Sequence, residues 1–334
     1  MVRWARCKAF TLETPITDLH PFLAEGAGTR GAIEFLRANR IDPKFLYATP
    51  RQSELWRKVF LRRSPIHTNP EFGRIYREAF AGAVERLPPG KIALVGLGCG
   101  TGLKELELYS HVKASGREAL FIAVDASRDL VEESVEKLVV AGAGHQRSLV
   151  CDLAETDYLK DWLEQVAPDL PRVITFFGLV PNLAPSLVVR IFRAALRHGD
   201  MLLASAHLAP IGDGVDLPTA MQLVLPQYDN PETLAWLTAA LEAWRLEDLV
   251  ETPKMEIGAV EGFPAFVALA RWKSDAQFVK WGHAFSPKRN EPLRLFHSLR
   301  YTPALFENVL EEAGFDFQRL ALTRCKEEAI WAIR

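Results

Sequence analysis

Between about residues 91 and 206, short apolar runs rich in β-branched residues alternate with amphipathic segments, and few folds accept that alternation. Strands covered on both faces read as unbroken apolar runs, and parallel strands need a crossover long enough to hold a helix. The runs fall at 92–95, 120–124, 149–151, 173–177 and 201–205. Between the second and third, Ser127 can cap a helix whose apolar positions Leu130, Val131, Val135, Leu138 and Val139 recur at helical spacing. The pattern predicts an α/β protein with a Rossmann-like parallel sheet. Near the C-terminus, Thr302 is placed as an N-cap, Pro303 fits the first helical position and Gly314 fits just past the end. The strand-like runs 315–323 and 329–334 that follow are expected to close the sheet as an antiparallel pair.

Two regions stand outside the alternation. Residues 1–84 read as mostly helical, and 206–300 open with a helix carrying Leu234, Leu237, Leu241 and Trp244 before strand-like runs such as 264–272. Because they flank the βαβ core, they are expected to pair as a second domain over the cleft at the strand ends. The expected division is therefore 85–205 with 301–334, and 1–84 with 206–300, with the Pro/Gly-rich stretch 209–218 as the candidate hinge.

A formal net charge of −2 over 334 residues leaves no surplus of cations for phosphates, so neither nucleic acid nor a charged membrane surface is an expected partner. No apolar run reaches the ~18 residues of a membrane span, and the opening MVRWARCKAF does not read as a signal peptide. Cys7, Cys99, Cys151 and Cys325 lie far apart with no metal-ligand spacing. They predict reduced thiols in a cytoplasmic protein, with no bound metal and no disulfide framework. A small-molecule partner is expected; the pattern says nothing about oligomeric state.

The first apolar run ends in Gly96-Leu97-Gly98-Cys99-Gly100-Thr101-Gly102. Glycines at a strand end let the main chain approach a ligand closely, and the following helix presents free N–H groups to it. One reading is a tight turn without a ligand, although four glycines at alternate positions exceed what a turn needs. A second is the dinucleotide pattern GxGxxG of a nicotinamide dehydrogenase. Begun at Gly96 it places Thr101 at the third glycine, and begun at Gly98 it places Leu103 there. Gly-x-Gly-x-Gly fits methyltransferases better. Asp125 ends the second run about 20 residues on, where a carboxylate can accept from both ribose hydroxyls or simply cap a helix. Asp152, just past the third run, can accept from an adenine amine with Leu153 packed on the ring, or start a helix.

Six segments together resemble the histidine-specific methyltransferase family, which includes the histidine Nα-methyltransferase of ergothioneine biosynthesis and relatives acting on prenylated tryptophan. They are Pro43-Lys44-Phe45-Leu46-Tyr47 with Ser53-Glu54-Leu55-Trp56; Gly98-Cys99-Gly100-Thr101-Gly102-Leu103-Lys104; Val124-Asp125-Ala126-Ser127; Phe177-Gly178-Leu179-Val180-Pro181-Asn182; Gln227-Tyr228-Asp229; and Ser298-Leu299-Arg300-Tyr301-Thr302. The resemblance runs from about residue 40 to the C-terminus. It implies a Rossmann-like class I methyltransferase core that binds S-adenosylmethionine, plus a substrate-binding domain. By it, Gly98, Gly100, Gly102, Lys104, Asp125, Ser127, Asp152 and Leu153 would hold the cofactor, with Lys104 toward the methionine carboxylate. Tyr47, Asn182, Tyr228, Phe296 and Ser298 would line the acceptor site.

Two positions depart from the family's pattern. Gly96 stands where methyltransferases usually carry Glu or Asp near the cofactor's amino end, which leaves a catalytically silent cofactor-binding protein as an alternative. Phe296 stands where histidine-methylating members carry a Glu that grips the imidazole together with the Ser matching Ser298. Loss of such a charged acceptor costs an imidazole about 1.5–3 kcal/mol. Histidine is thereby disfavoured, and the expectation is an N-methyltransferase for another amino acid or a related small amine in a biosynthetic pathway. Methyl transfer asks mainly for positioning. A tyrosine hydroxyl, His67, His297 or water could take the proton from an amine, and no catalytic residue is assigned.

Overall fold

The computed structural model describes residues 16–21, 27–145 and 147–334, with the main chain alone for 27–30. Cys7 and the opening decapeptide lie outside the described residues. The N-terminal region supplies β1 (Ile16–Leu19), α1 (Ala27–Arg37), α2 (Pro50–Arg63), α3 (Pro65–Thr68) and α4 (Pro70–Val84). The alternating region supplies β2 (Lys91–Leu97), α5 (Leu103–Ala114), β3 (Glu118–Asp125), α6 (Arg128–Val140), β4 (Gly144–His145), β5 (Arg147–Val150), α7 (Thr156–Val166), β6 (Arg172–Phe176), α8 (Pro185–Ala195) and β7 (Met201–His207). Then come α9 (Leu217–Val224), α10 (Pro231–Ala243), β8 (Lys254–Val260), β9 (Phe263–Arg271), β10 (Phe278–Lys280), β11 (His283–Phe285), β12 (Pro292–Leu299), α11 (Pro303–Glu312), β13 (Phe317–Leu322) and β14 (Glu328–Ile333).

Each apolar run of the alternating region is a strand, and the main sheet has the order β1-β5-β3-β2-β6-β7-β14-β13, with β4 beside β3. Pairing is parallel from β1 to β7, after which β14 joins β7 antiparallel and β13 joins β14 antiparallel. The expected C-terminal pair thus closes the sheet. β14 lies inside it, with all six residues buried and all but Glu328 apolar, so both its faces are covered as in a parallel strand. The expected α11 forms as well: the Thr302 side chain accepts from Leu305 N and Pro303 opens the helix.

One face of this sheet packs against α7, α8 and α11 through Leu159, Trp162, Phe192 and Phe306, and the other packs against α4, α5 and α6 through Phe80, Leu108 and Leu138. Two pieces of the N-terminal region therefore belong to the sheet layer. β1 pairs with β5, and α4 sends Ile75, Tyr76, Ala79 and Phe80 into the second of these cores. A third core joins α1, the short 3-10 turn Pro43–Leu46 and α10 to the antiparallel sheet β12-β9-β8, through Ile33, Leu46, Trp236, Phe266 and Phe296. Capping fixes where α2 enters that layer: Thr49 Oγ1 accepts from Gln52 N, while Gln52 Oε1 accepts from Thr49 N. Among the described residues no helix is long and apolar enough to cross a membrane, and no group of three or more His, Cys, Asp or Glu is placed to hold a metal ion.

Candidate active site

The carboxyl ends of β2, β3, β5 and β6 open on a cavity of about 280 Å³, roofed by the third core. In open parallel sheets this is where ligands sit. Gly98 and Gly100 are on its wall with φ of +65° and +53°, a conformation that L side chains adopt only with strain. A Cβ on Gly98 would lie 2.1 Å from Leu179 Cδ1, and one on Gly100 would lie 2.9 Å from Trp56 Cη2. A side chain at either place would have to displace Leu179 or Trp56, on a backbone already strained for it. Gly102 serves another purpose. A Cβ there would come 2.7 Å from Ser134 Cβ, so this glycine lets α5 and α6 approach, and it stands off the cavity wall.

Asp125, at the end of β3, lies on the wall. Its Oδ2 accepts from Gly100 N and its Oδ1 from Ser127 N, both at 3.0 Å. Burial raises its carboxyl above the ordinary 3.8, opposed by those main-chain donors. Asp125 thus holds the glycine turn in shape as well as facing the ligand space. Ser127 stands off the wall, its hydroxyl 3.0 Å from that of Ser53. Asp152 and Leu153 are both on the wall, and Asp152 carries a partner that the sequence reading did not include: Lys44 Nζ lies 2.5 Å from Oδ2, with both side chains more than nine-tenths buried. Lys104 also lines the cavity. Burial lowers its pKa, and it donates to Tyr76 Oη at 2.7 Å with its charge over the Tyr76 ring. Tyr76 in turn donates to the buried Glu328.

The remaining wall is aromatic. Tyr47 lies 5.8 Å from Trp56 and 5.5 Å from Trp236 between ring centroids, Trp236 meets Phe296 edge-on at 5.7 Å, and Tyr228 stacks on Phe296 at 6.3 Å. Asn182 lines the same space, its side-chain nitrogen donating to Gly178 O at 3.1 Å. Ser298 is fully buried behind the wall and donates to Tyr228 Oη at 3.3 Å.

His67 and His297 do not line the cavity. His67 packs edge-on against Phe60, and burial together with Arg294 and Arg40 pushes His297 down to about 4. The histidine that does line it is His207, whose Nδ1 lies 3.2 Å from Tyr228 Oη. Burial, then the charges of Arg300 and Lys104, hold its imidazole well below the usual 6.5. A signal for it existed, because His207 is the last residue of β7 and ligand contacts gather at strand carboxyl ends. Glu105, also on the wall, gave a weaker signal, since an acid in a helix's first turn is usually a solvated partner of the helix dipole.

A bare glycine turn with a carboxylate behind it and a second one at the next strand end fits an adenosyl cofactor, and the fold and site define an S-adenosylmethionine-dependent methyltransferase. The model of a family described as histidine-specific, SAM-dependent methyltransferase matches residues 30–237. This chain belongs to that family. Among curated proteins, none matches the sequence. Of solved structures, the chain is similar to magnesium protoporphyrin IX methyltransferase from Synechocystis PCC 6803 with bound SAH, at 16% identity and a TM-score of 0.37 over 86% of this chain and 96% of that one. It is similar also to the plantazolicin methyltransferase BpumL in complex with SAH, at 10% identity and 0.40 over 91% and 98%, and to the CurJ carbon methyltransferase, at 14% and 0.46 over 92% and 63%.

Proposed function

We propose that the protein is an N-methyltransferase whose acceptor is a small amine, an amino acid or a close relative, bearing an aromatic or otherwise apolar side chain. The observation that carries this reading is the aromatic wall made by Tyr47, Trp236, Tyr228 and Phe296, which offers an apolar group a large contact area and an imidazole no charged acceptor. In this reading Gly98, Gly100, Lys104, Asp125, Asp152 and Leu153 hold S-adenosylmethionine, while 27–63 and 217–299 form the unit that binds the acceptor. When bound, the cofactor supplies an electrophilic methyl group carried on sulfur.

The chain's own residues do the rest. Asn182 orients the amine through its side-chain amide, the aromatic wall excludes water, and Tyr228 fixes the imidazole of His207. An amine attacks only after losing its proton, and a neutral histidine on the wall is fitted to take it at a ring nitrogen. The test is a mass-spectrometric screen of purified protein with S-adenosylmethionine against amino acids and biogenic amines. Gain of methyl mass on an apolar or aromatic amine is the expected result. Methylation of histidine in preference to aromatic amines overturns the acceptor reading and leaves the cofactor untouched.

A further inference from the structure

The acid missing at Gly96 has a counterpart on the neighbouring helix. A Cβ on Gly96 would lie 3.2 Å from Glu105 Cγ and 2.9 Å from Cys99 Cβ, so the room a side chain at 96 would need is already taken, in part by Glu105. Glu105 sits in the first turn of α5, yet it is only 4% exposed and lines the cavity beside Gly98 and Lys104. Its Oε1 accepts from Thr175 Oγ1 at 2.7 Å, and Thr175 is the residue of β6 paired with Gly96 in the sheet. The carboxylate is thus anchored between the ends of β2 and β6, under the glycine turn.

A buried carboxylate ordinarily needs a cation. The hydrogen-bond donors that Glu105 finds among the described residues, Thr175 and its own main-chain amide, are both neutral. The adjacent Lys104 acts on it at longer range while its Nζ is hydrogen-bonded to Tyr76. This end of the cavity therefore holds a carboxyl group whose pKa burial raises and that no cation among the described residues hydrogen-bonds. Next to it is a lysine whose own hydrogen bond goes to a neutral hydroxyl, while Glu328 and Glu105 act on it only through space. An α-amino acid group, with an ammonium and a carboxylate on one carbon, satisfies both.

We infer that Glu105 is a cofactor-binding residue, accepting the ammonium of the methionine part of S-adenosylmethionine in the role that residue 96, being glycine, cannot fill. The inference rests on the cofactor reading of this cavity. It also removes the reason to regard Gly96 as a mark of a silent protein, since the charge has moved from strand to helix without leaving the site.

Calorimetric titration with two probes tests it: S-adenosylhomocysteine, and its desamino analogue, which keeps the adenosine and the carboxylate. Glu105→Gln and the near-isosteric Glu105→Met are expected to weaken S-adenosylhomocysteine binding about tenfold or more, the effect of losing a charge-assisted hydrogen bond. Binding of the desamino analogue should change by less than about twofold. Equal loss for both probes, loss for neither, or failure of both variants to fold would show a packing residue and overturn the inference. Failure of the unaltered protein to bind either probe would instead remove the cofactor reading beneath it.

Discussion

His207 is where the residue-level argument makes the sharpest demand. An imidazole held well below 6.5 by burial and by Arg300 stays neutral in the folded protein at pH values where the unfolded chain takes up a proton. The depressed histidine therefore contributes no pH dependence above about 6.5, and stability falls as pH drops below that value, by at most about 1.4 kcal/mol per pH unit. Denaturant titrations at several pH values should show that slope in the native protein and a shallower one in His207→Gln. The same substitution should lower kcat by about a hundredfold and move the acid limb of the rate profile. An unchanged profile would return the proton to water. Asn182 makes a separable claim: Asn182→Ala should weaken acceptor binding about fivefold, the worth of one hydrogen bond, and leave cofactor affinity nearly intact. Equal loss of both in titration would contradict its assignment to the acceptor.

Among the elements, the glycine turn divides its work in a way the motif does not announce. Gly98 and Gly100 keep the wall bare, whereas Gly102 sits between α5 and α6 against the main chain of Ser134, at 2.9 Å from a would-be Cβ. Gly116 has a similar φ, +77°, with nothing within 4 Å of its would-be Cβ, so Gly116→Ala reports the conformational strain alone. Gly102→Ala is expected to lose about 1–3 kcal/mol more than that control in thermal or denaturant unfolding, the range for overpacking a close contact. Equal losses would mean that the helices part at no cost. The helices and strands of the alternating region were legible because both faces of the sheet are covered and each run is apolar end to end. β1 was not, since Ile16–Leu19 carries no alternation and is held by its pairing with β5. The lining of the candidate site was legible as far as main chain and strand ends define it. His207, Glu105 and Lys44 escaped because their place on the cavity wall is imposed only by the assembled fold.

At the scale of the molecule, the two layers are joined across the cavity by charge as well as by packing. Lys44 enters from the 3-10 turn of the third core and meets Asp152 at the end of the main sheet, while Arg57 of α2 meets Glu133 of α6 at 2.7 Å. The second pair is part-exposed and worth little. The first is buried, and removing one member of a buried pair leaves an uncompensated charge, which typically costs about 3–5 kcal/mol. Lys44→Met should therefore lower the melting temperature by many degrees. A neutral Asn at 152 still offers Ala154 N the acceptor that Asp152 Oδ1 provides and brings no charge. Adding Asp152→Asn to Lys44→Met should recover more than half of the loss, giving a strongly non-additive double-mutant cycle. Additive losses would show that Lys44 lies against Asp152 without joining the layers.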